Sequence, residues 1–291
     1  MTLQPDHRPA LKTPLGATGL PRYGYAVLEH FIEPAELPAF RTDIVHALAM
    51  PQRPSCERPN NTLVPMRWND NVVARVLGSE IRRNRIREVT DSTDLRWISG
   101  YLSLKEPRSP SLWWHQDWWC WDHPASFDRR PPQVALLCYV SATDDRSAAL
   151  RVLPGSHRVS TSLHALLPEA HSHEAGDLSP THPAMSDHPE QVTLQLRAGD
   201  AVVLDYRVLH GTHANRTDER RDCLLLTFAP SWSALPPEIK AHLIRHPALP
   251  QGEDATKLSW ASELLPTYAG LRRDLPLNRA APRVFSISDD R

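Results

Sequence analysis

The chain has 291 residues, 41% of them hydrophobic and 23% charged, with 33 basic side chains against 34 acidic ones. That near balance, a net charge of −1, argues against a nucleic-acid or anionic-membrane partner, and the short basic runs give no patch for either. The N-terminal residues lack the apolar stretch of a signal peptide and no run approaches a transmembrane span, so a soluble cytoplasmic protein acting on a small molecule, as monomer or homodimer, is expected.

Taken in chain order, residues 1–22 are Pro-rich and read as a loose segment. Residues 23–31 have the composition of a strand. Glu33-Pro34 then opens a helix to about Ala49, with Leu37, Phe40, Ile44, Val45 and Leu48 at helical spacing. Residues 50–64 read as a loop and 70–87 as a helix. From about 95 to 230 the pattern changes to short apolar runs between turn signals, at 95–105, 112–119, 133–142, 149–153, 191–197, 201–209 and 222–229, the mark of a sandwich or barrel. The connection at 160–190 is rich in Pro, His and Ser. Loops of that length inside a domain usually act as lids or mobile segments. Four of its histidines, His171, His173, His182 and His188, are irregularly spaced, which favours a solvated loop over a metal cluster. Residues 236–291 form a C-terminal extension with short helices at 237–245 and 258–265. The whole is expected to be one domain over 1–291.

The densest chemistry lies at Trp113-Trp114-His115-Gln116-Asp117-Trp118-Trp119-Cys120-Trp121. Alternate strand residues share a face, so His115 and Asp117 can reach one metal while Gln116 points away. His210 closes an apolar run, 201–209, that follows an Ala198-Gly199-Asp200 turn. Together the three have the composition of a 2-His-1-carboxylate set, which binds Fe(II) on one face and leaves positions open for a cosubstrate and O2. The same side chains would accept zinc. A metal-dependent hydrolase or isomerase on a cupin-like barrel, or a non-catalytic small-molecule binder, therefore remains an alternative. Arg221 begins another apolar strand, where a buried guanidinium needs an anionic partner; the competing reading turns Arg220 inward and leaves Arg221 in solvent. Alternation puts Trp119 and Trp121 on the metal side as substrate candidates, alongside Tyr101 in the preceding strand, and assigns Trp113, Trp114 and Trp118 to packing. An aromatic wall of that kind would suit a flat or cationic substrate. Cys56, Cys120, Cys138 and Cys223 show no paired spacing and read as reduced thiols.

These pieces resemble the phytanoyl-CoA dioxygenase superfamily of Fe(II)/2-oxoglutarate oxygenases, in particular its ectoine-hydroxylase-like branch. The resemblance rests on Gly24-Tyr25-Ala26-Val27-Leu28, Trp114-His115-Gln116-Asp117, Leu153-Pro154-Gly155-Ser156-His157, Ala198-Gly199-Asp200, and His210 through Asn215 to Arg221. It implies a mainly β double-stranded β-helix (jelly roll) with flanking helices, and iron on His115, Asp117 and His210. It also implies 2-oxoglutarate on Arg221, eleven residues past the second histidine, with Thr212, Lys105 and Asn215 beside it. Trp121 matches a tryptophan near substrate in ectoine hydroxylase. Related halogenases have Gly or Ala in place of Asp117, so the carboxylate implies hydroxylation of a C–H bond, with release of succinate and CO2. A natural-product intermediate or amino-acid derivative suits better than an acyl-CoA, because no basic cluster is present for nucleotide phosphates.

Overall fold

The computed structural model describes residues 19–50 and 61–288. Expectations for residues 1–18, for 51–60 and for Cys56 lie outside the described residues. Among the described residues, ten strands form two antiparallel sheets: β1 Tyr25–Leu28, β2 Thr62–Met66, β3 Arg96–Lys105, β4 Leu112–His115, β5 Val134–Tyr139, β6 Leu150–Val152, β7 Val192–Thr193, β8 Ala201–Asp205, β9 His210–Thr212 and β10 Arg221–Ala229. The larger sheet runs β1-β8-β5-β10-β3-β2 and the smaller β4-β9-β6-β7. This is the jelly roll, two facing antiparallel sheets with helices on one of them.

Side-chain alternation divides the core into two layers. Ala26, Leu28, Leu102, Leu104, Leu136, Cys138, Val203, Leu224 and Leu226 face the helices α2 Leu37–Ala49, α3 Asn71–Leu77 and α4 Glu80–Thr90, meeting Phe40, Ile44, Val73, Val76 and Ile86. Their odd-numbered neighbours Val27, Leu137, Tyr139 and Cys223 face the other way and pack on Leu150 and Val152 of the smaller sheet. Position 221 shares the parity of Cys223, so the strand itself turns Arg221 into the space between the sheets.

Several local expectations shift. Helix 70–87 is two helices, because the chain breaks at Gly78 and restarts with Ser79, whose side chain accepts the Arg82 N–H. Residues 62–66 form an edge strand that Pro65 masks in the sequence, proline being tolerated at a sheet edge. The strand expected at 112–119 ends at His115, because the N–H groups of Asp117 and Trp118 both donate to the Tyr206 carbonyl and draw the chain out of the sheet. The 160–190 connection contains two 3-10 turns, Ser162–Leu166 and Pro183–Met185, around a short helix, His173–Gly176. Cys120, Cys138 and Cys223 are free and buried as expected. No helix of the described residues is long and apolar enough to cross a membrane.

Candidate metal centre

His115 ends β4 and pairs in register with His210, the first residue of β9. The close approach of these strands requires Gly211, where a Cβ would lie 2.8 Å and 2.9 Å from the carbonyl oxygens of Leu112 and Trp113. The His115 Nδ1 lies 2.9 Å from the Trp113 carbonyl, and the His210 Nδ1 lies 3.1 Å from that of Val208. A carbonyl only accepts, so each Nδ1 carries a proton, and in the neutral ring Nε2 is then a lone pair. Both lone pairs face Asp117: His115 Nε2 is 3.7 Å from Oδ1 and His210 Nε2 is 3.5 Å from Oδ2. Burial, together with His210, pushes the His115 pKa well below its ordinary value, so its ring is neutral. Burial alone would raise the Asp117 pKa, but His210, a hydrogen bond from His171 and His115 hold it well below the usual carboxylate range.

A buried arrangement of acceptors facing acceptors is unfavourable without a cation between them. Octahedral neighbours bonded at roughly 2.1 Å sit about 3 Å apart, so each His–Asp spacing lies within about 1 Å of what a shared ion requires, although the trio of donors that come within 4.8 Å of one another has His171 in the place expected for His210. His171 adds a contact that the sequence reading placed in solvent: its Nε2 donates to Asp117 Oδ1 at 3.0 Å. One donor atom each from His115, Asp117 and His171 lie within 4.8 Å of one another. His171 was missed because its approach depends on the path of a long loop, and no local spacing encodes that path.

Beyond the histidines, Arg221 and Lys105 are cross-strand partners on β10 and β3, both facing the space between the sheets, with 4% and 0% exposure. No described carboxylate pairs with Arg221. Its guanidinium lies over the Tyr139 ring at 5.7 Å, and its Nε has no hydrogen-bond partner among the described residues. The hydroxyl of Thr212, two residues past His210, is also buried without a partner. Lys105 donates to the Pro110 carbonyl. An unpartnered hydroxyl and guanidinium Nε beside a second buried basic group suit a dicarboxylate whose far end is anionic. Arg220, in contrast, pairs with Asp222 at the surface, so the inward-Arg220 reading does not hold.

Burial pushes the Lys105 amine down to about 7, with Arg221 and Arg151 adding repulsion. The unfolded chain, with an ordinary lysine pKa near 10.4, then binds this proton more tightly than the folded one. Stability of the ligand-free protein should therefore rise as pH climbs from about 7 towards 10. Urea midpoints at pH 7 and 9 test this: Lys105→Met should flatten the rise, and an equal rise in wild type and variant would contradict it.

A cavity of about 440 Å³ opens beside Asp117, lined by Tyr101, Trp119, Gln133, Tyr206, His242 and Arg279 among others. Of the three aromatic substrate candidates, Tyr101 and Trp119 line this cavity. Trp121 does not. It packs on Phe127 and Phe285, with ring centroids 6.2 Å and 5.3 Å away, because the chain stops alternating after His115. Asn215, whose place after His210 suits a turn residue as well as a cosubstrate contact, takes the turn role. Its amide donates to the carbonyls of Lys105 and Glu219, and its oxygen accepts from Thr217, so it holds the turn before Arg221. Trp113, Trp114 and Trp118 are buried packing residues as expected.

The sequence pattern of the phytanoyl-CoA dioxygenase family (PhyH) matches residues 20–223. The chain belongs to that family. Membership carries the enzyme class, a dioxygenase dependent on Fe(II) and 2-oxoglutarate. Among curated relatives, the chain is 31% identical to Dioxygenase FUM3 of Gibberella moniliformis over 105 residues, spanning 35% of this chain and 28% of that protein. It is 24% identical to the ectoine dioxygenase of Nocardia farcinica over 231 residues, covering 71% of this chain and 74% of that one. Among solved structures, the non-heme α-ketoglutarate-dependent epimerase SnoN from nogalamycin biosynthesis superposes with a TM-score of 0.55 at 19% identity, covering 94% of this chain and 96% of SnoN. The last likeness is one of fold.

Proposed function

We propose that this family member hydroxylates an unactivated C–H bond of a small molecule, with ferrous iron on His115, Asp117 and His210, and 2-oxoglutarate anchored by Arg221 with Thr212 and Lys105. The observation that carries the proposal is the pair of imidazole lone pairs aimed at the Asp117 carboxylate, beside a buried arginine that no described carboxylate neutralises. Bound iron, with 2-oxoglutarate and O2, supplies the oxidant, and succinate and CO2 leave. The protein's own part is placement. The carbonyls of Trp113 and Val208 fix the two rings, Arg221 holds the distal carboxylate, and Tyr101 and Trp119 form a wall that places substrate beside Asp117. The same reading treats the chain as one catalytic domain, with 160–190 covering the site and 236–291 contributing His242, His246 and Arg279 to the cavity wall.

The substrate class follows from the cavity. Burial lowers the pKa values of His242 and His246, the latter to about 4, so both are neutral at pH 7. Arg279 and Asp117 are then the described lining residues with a fixed charge, and no described carboxylate pairs with the Arg279 guanidinium. The face of Trp119 is covered by His242, whose ring centroid is 4.3 Å away at 30°, which leaves less room for a stacked cation. These contacts favour a natural-product intermediate or amino-acid derivative with an anionic group over a cationic one. Relatives named for ectoine and for nogalamycin biosynthesis support small-molecule chemistry.

Anaerobic addition of Fe(II) and 2-oxoglutarate tests the reading. The visible charge-transfer band of the chelate should appear, and a metabolite screen scored by succinate should find substrates. Zinc-supported hydrolysis by folded protein that gives no such band would favour the hydrolase alternative.

A further inference from the structure

The 160–190 loop is pinned at two places. Leu163 and Leu167 pack on Trp114, Leu153 and Leu209. Further on, the carbonyl of Ser186 accepts from Trp114 Nε1 at 2.9 Å and from Arg151 at 2.9 Å, and Arg151 also pairs with Asp187 at 3.0 Å. Arg151 itself lies over the Trp114 ring, 4.7 Å from its centroid. The tryptophan next to the metal ligand thus serves as a post for both anchors, which accounts for part of the aromatic crowding at 113–121.

Between the anchors the chain dips inward. Ala170 is buried, and His171 adopts φ +65°, a left-handed conformation unfavourable for a residue with a side chain. Its ring stands edge-on to His115, with centroids 5.1 Å apart, and its Nε2–H reaches Asp117 Oδ1. The loop's other histidines serve local turns: His164 Nδ1 accepts from the Thr161 N–H, His182 Nδ1 from that of Ala184, His188 Nδ1 from that of Glu190, and His173 opens the short helix.

We infer that His171 is a positioning residue for Asp117 and that it couples closure of the 160–190 loop to metal binding. The inference rests on the metal centre proposed above. A hydrogen bond to Oδ1 fixes the rotation of the carboxylate and keeps Oδ2 towards His210, 3.5 Å away. Partners of this kind on ligating groups typically set metal affinity by 10–100-fold (about that range). Metal on Asp117 in turn holds the carboxylate where His171 can bond it, so the loop and the ion stabilise each other.

The test uses full-length protein and Co(II). His171→Ala should weaken Co(II) binding by about 10- to 100-fold while leaving the absorption spectrum of the saturated complex unchanged. His171→Gln, which puts an amide donor near the place of Nε2, should recover most of the affinity, separating positioning from loss of fold. Co(II) should slow cleavage by a glutamate-specific protease at Glu169 and Glu174 in wild type but not in His171→Ala. Unchanged affinity in the Ala variant, equal protection in both proteins, or a changed saturated spectrum (His171 then being a ligand) would overturn the inference. Failure of the wild type to bind Co(II) at all is a different result and would remove the metal reading itself.

Discussion

Asp117→Ala is expected to abolish succinate formation and to lower Co(II) or Mn(II) affinity by at least about 100-fold, the upper end of what losing even an outer partner of a metal ligand costs. The reason lies in how the site is wired. His115 and His210 spend their Nδ1 protons on the carbonyls of Trp113 and Val208, so both Nε2 atoms act as neutral donors to a cation. Asp117 is the site's anion, facing both histidines from the start of the turn after β4. Removing it leaves two neutral imidazoles, which cannot offset the desolvation of a divalent ion. Titration calorimetry with Co(II), and the visible band with Fe(II) and 2-oxoglutarate, read the two consequences separately. Retention of wild-type affinity would mean that another residue completes the sphere.

The second large effect concerns Arg221. Arg221→Ala should raise the 2-oxoglutarate requirement by about 30-fold to several thousand-fold, because truncating one partner of a buried, hydrogen-bonded charge pair costs about 2–5 kcal/mol. Metal affinity should stay within a few-fold, since Arg221 has no contact with His115, Asp117 or His210 among its hydrogen bonds or ion pairs. A companion readout is thermal: 2-oxoglutarate should raise the melting temperature of metal-loaded wild type and leave that of the variant nearly unchanged, since a ligand stabilises in proportion to its occupancy. The ligand-free variant should be no less stable than wild type, because it loses a buried cation that faces Lys105 across the strand pair. Equal losses of metal and 2-oxoglutarate binding would contradict the division of labour between the two ends of the cavity.

These two predictions rest on residues that were legible in the chain alone. The His115/Asp117 pair and His210 were candidates by residue type and spacing, and Arg221 by the resemblance, eleven residues past His210; strand periodicity places His115, His210 and Arg221, whereas Asp117 lies past the end of β4 in a turn fixed by the Tyr206 carbonyl. The parity that turns Arg221 inward is the parity of Cys223. Where the sequence reading went astray, the deciding contact lay far away in the chain. Trp121 was placed by an alternation that the Tyr206 carbonyl interrupts 85 residues later, by capturing the N–H groups of Asp117 and Trp118. Asn215 has the right position for a cosubstrate contact, but its amide is taken by the carbonyls of Lys105 and Glu219, 110 and 4 residues away. Edge strand β2 was hidden by Pro65, which a sheet interior would reject and an edge accepts.

The amino-acid order therefore determined the architecture and the chemical kit: short alternating runs for two facing sheets, two imidazoles at strand ends with a carboxylate two residues past one of them, and an arginine on the inward face. Those properties follow from the geometry of one strand at a time. The tertiary structure alone decided which side chains share a cavity. Pairing of β10 with β3 sets Lys105 against Arg221, the C-terminal segment puts His242 over Trp119, and a loop pinned by Trp114 and Arg151 carries His171 down to Asp117. Contacts of that sort depend on where distant segments come to rest, a matter of packing and loop path that no periodicity in the chain can encode.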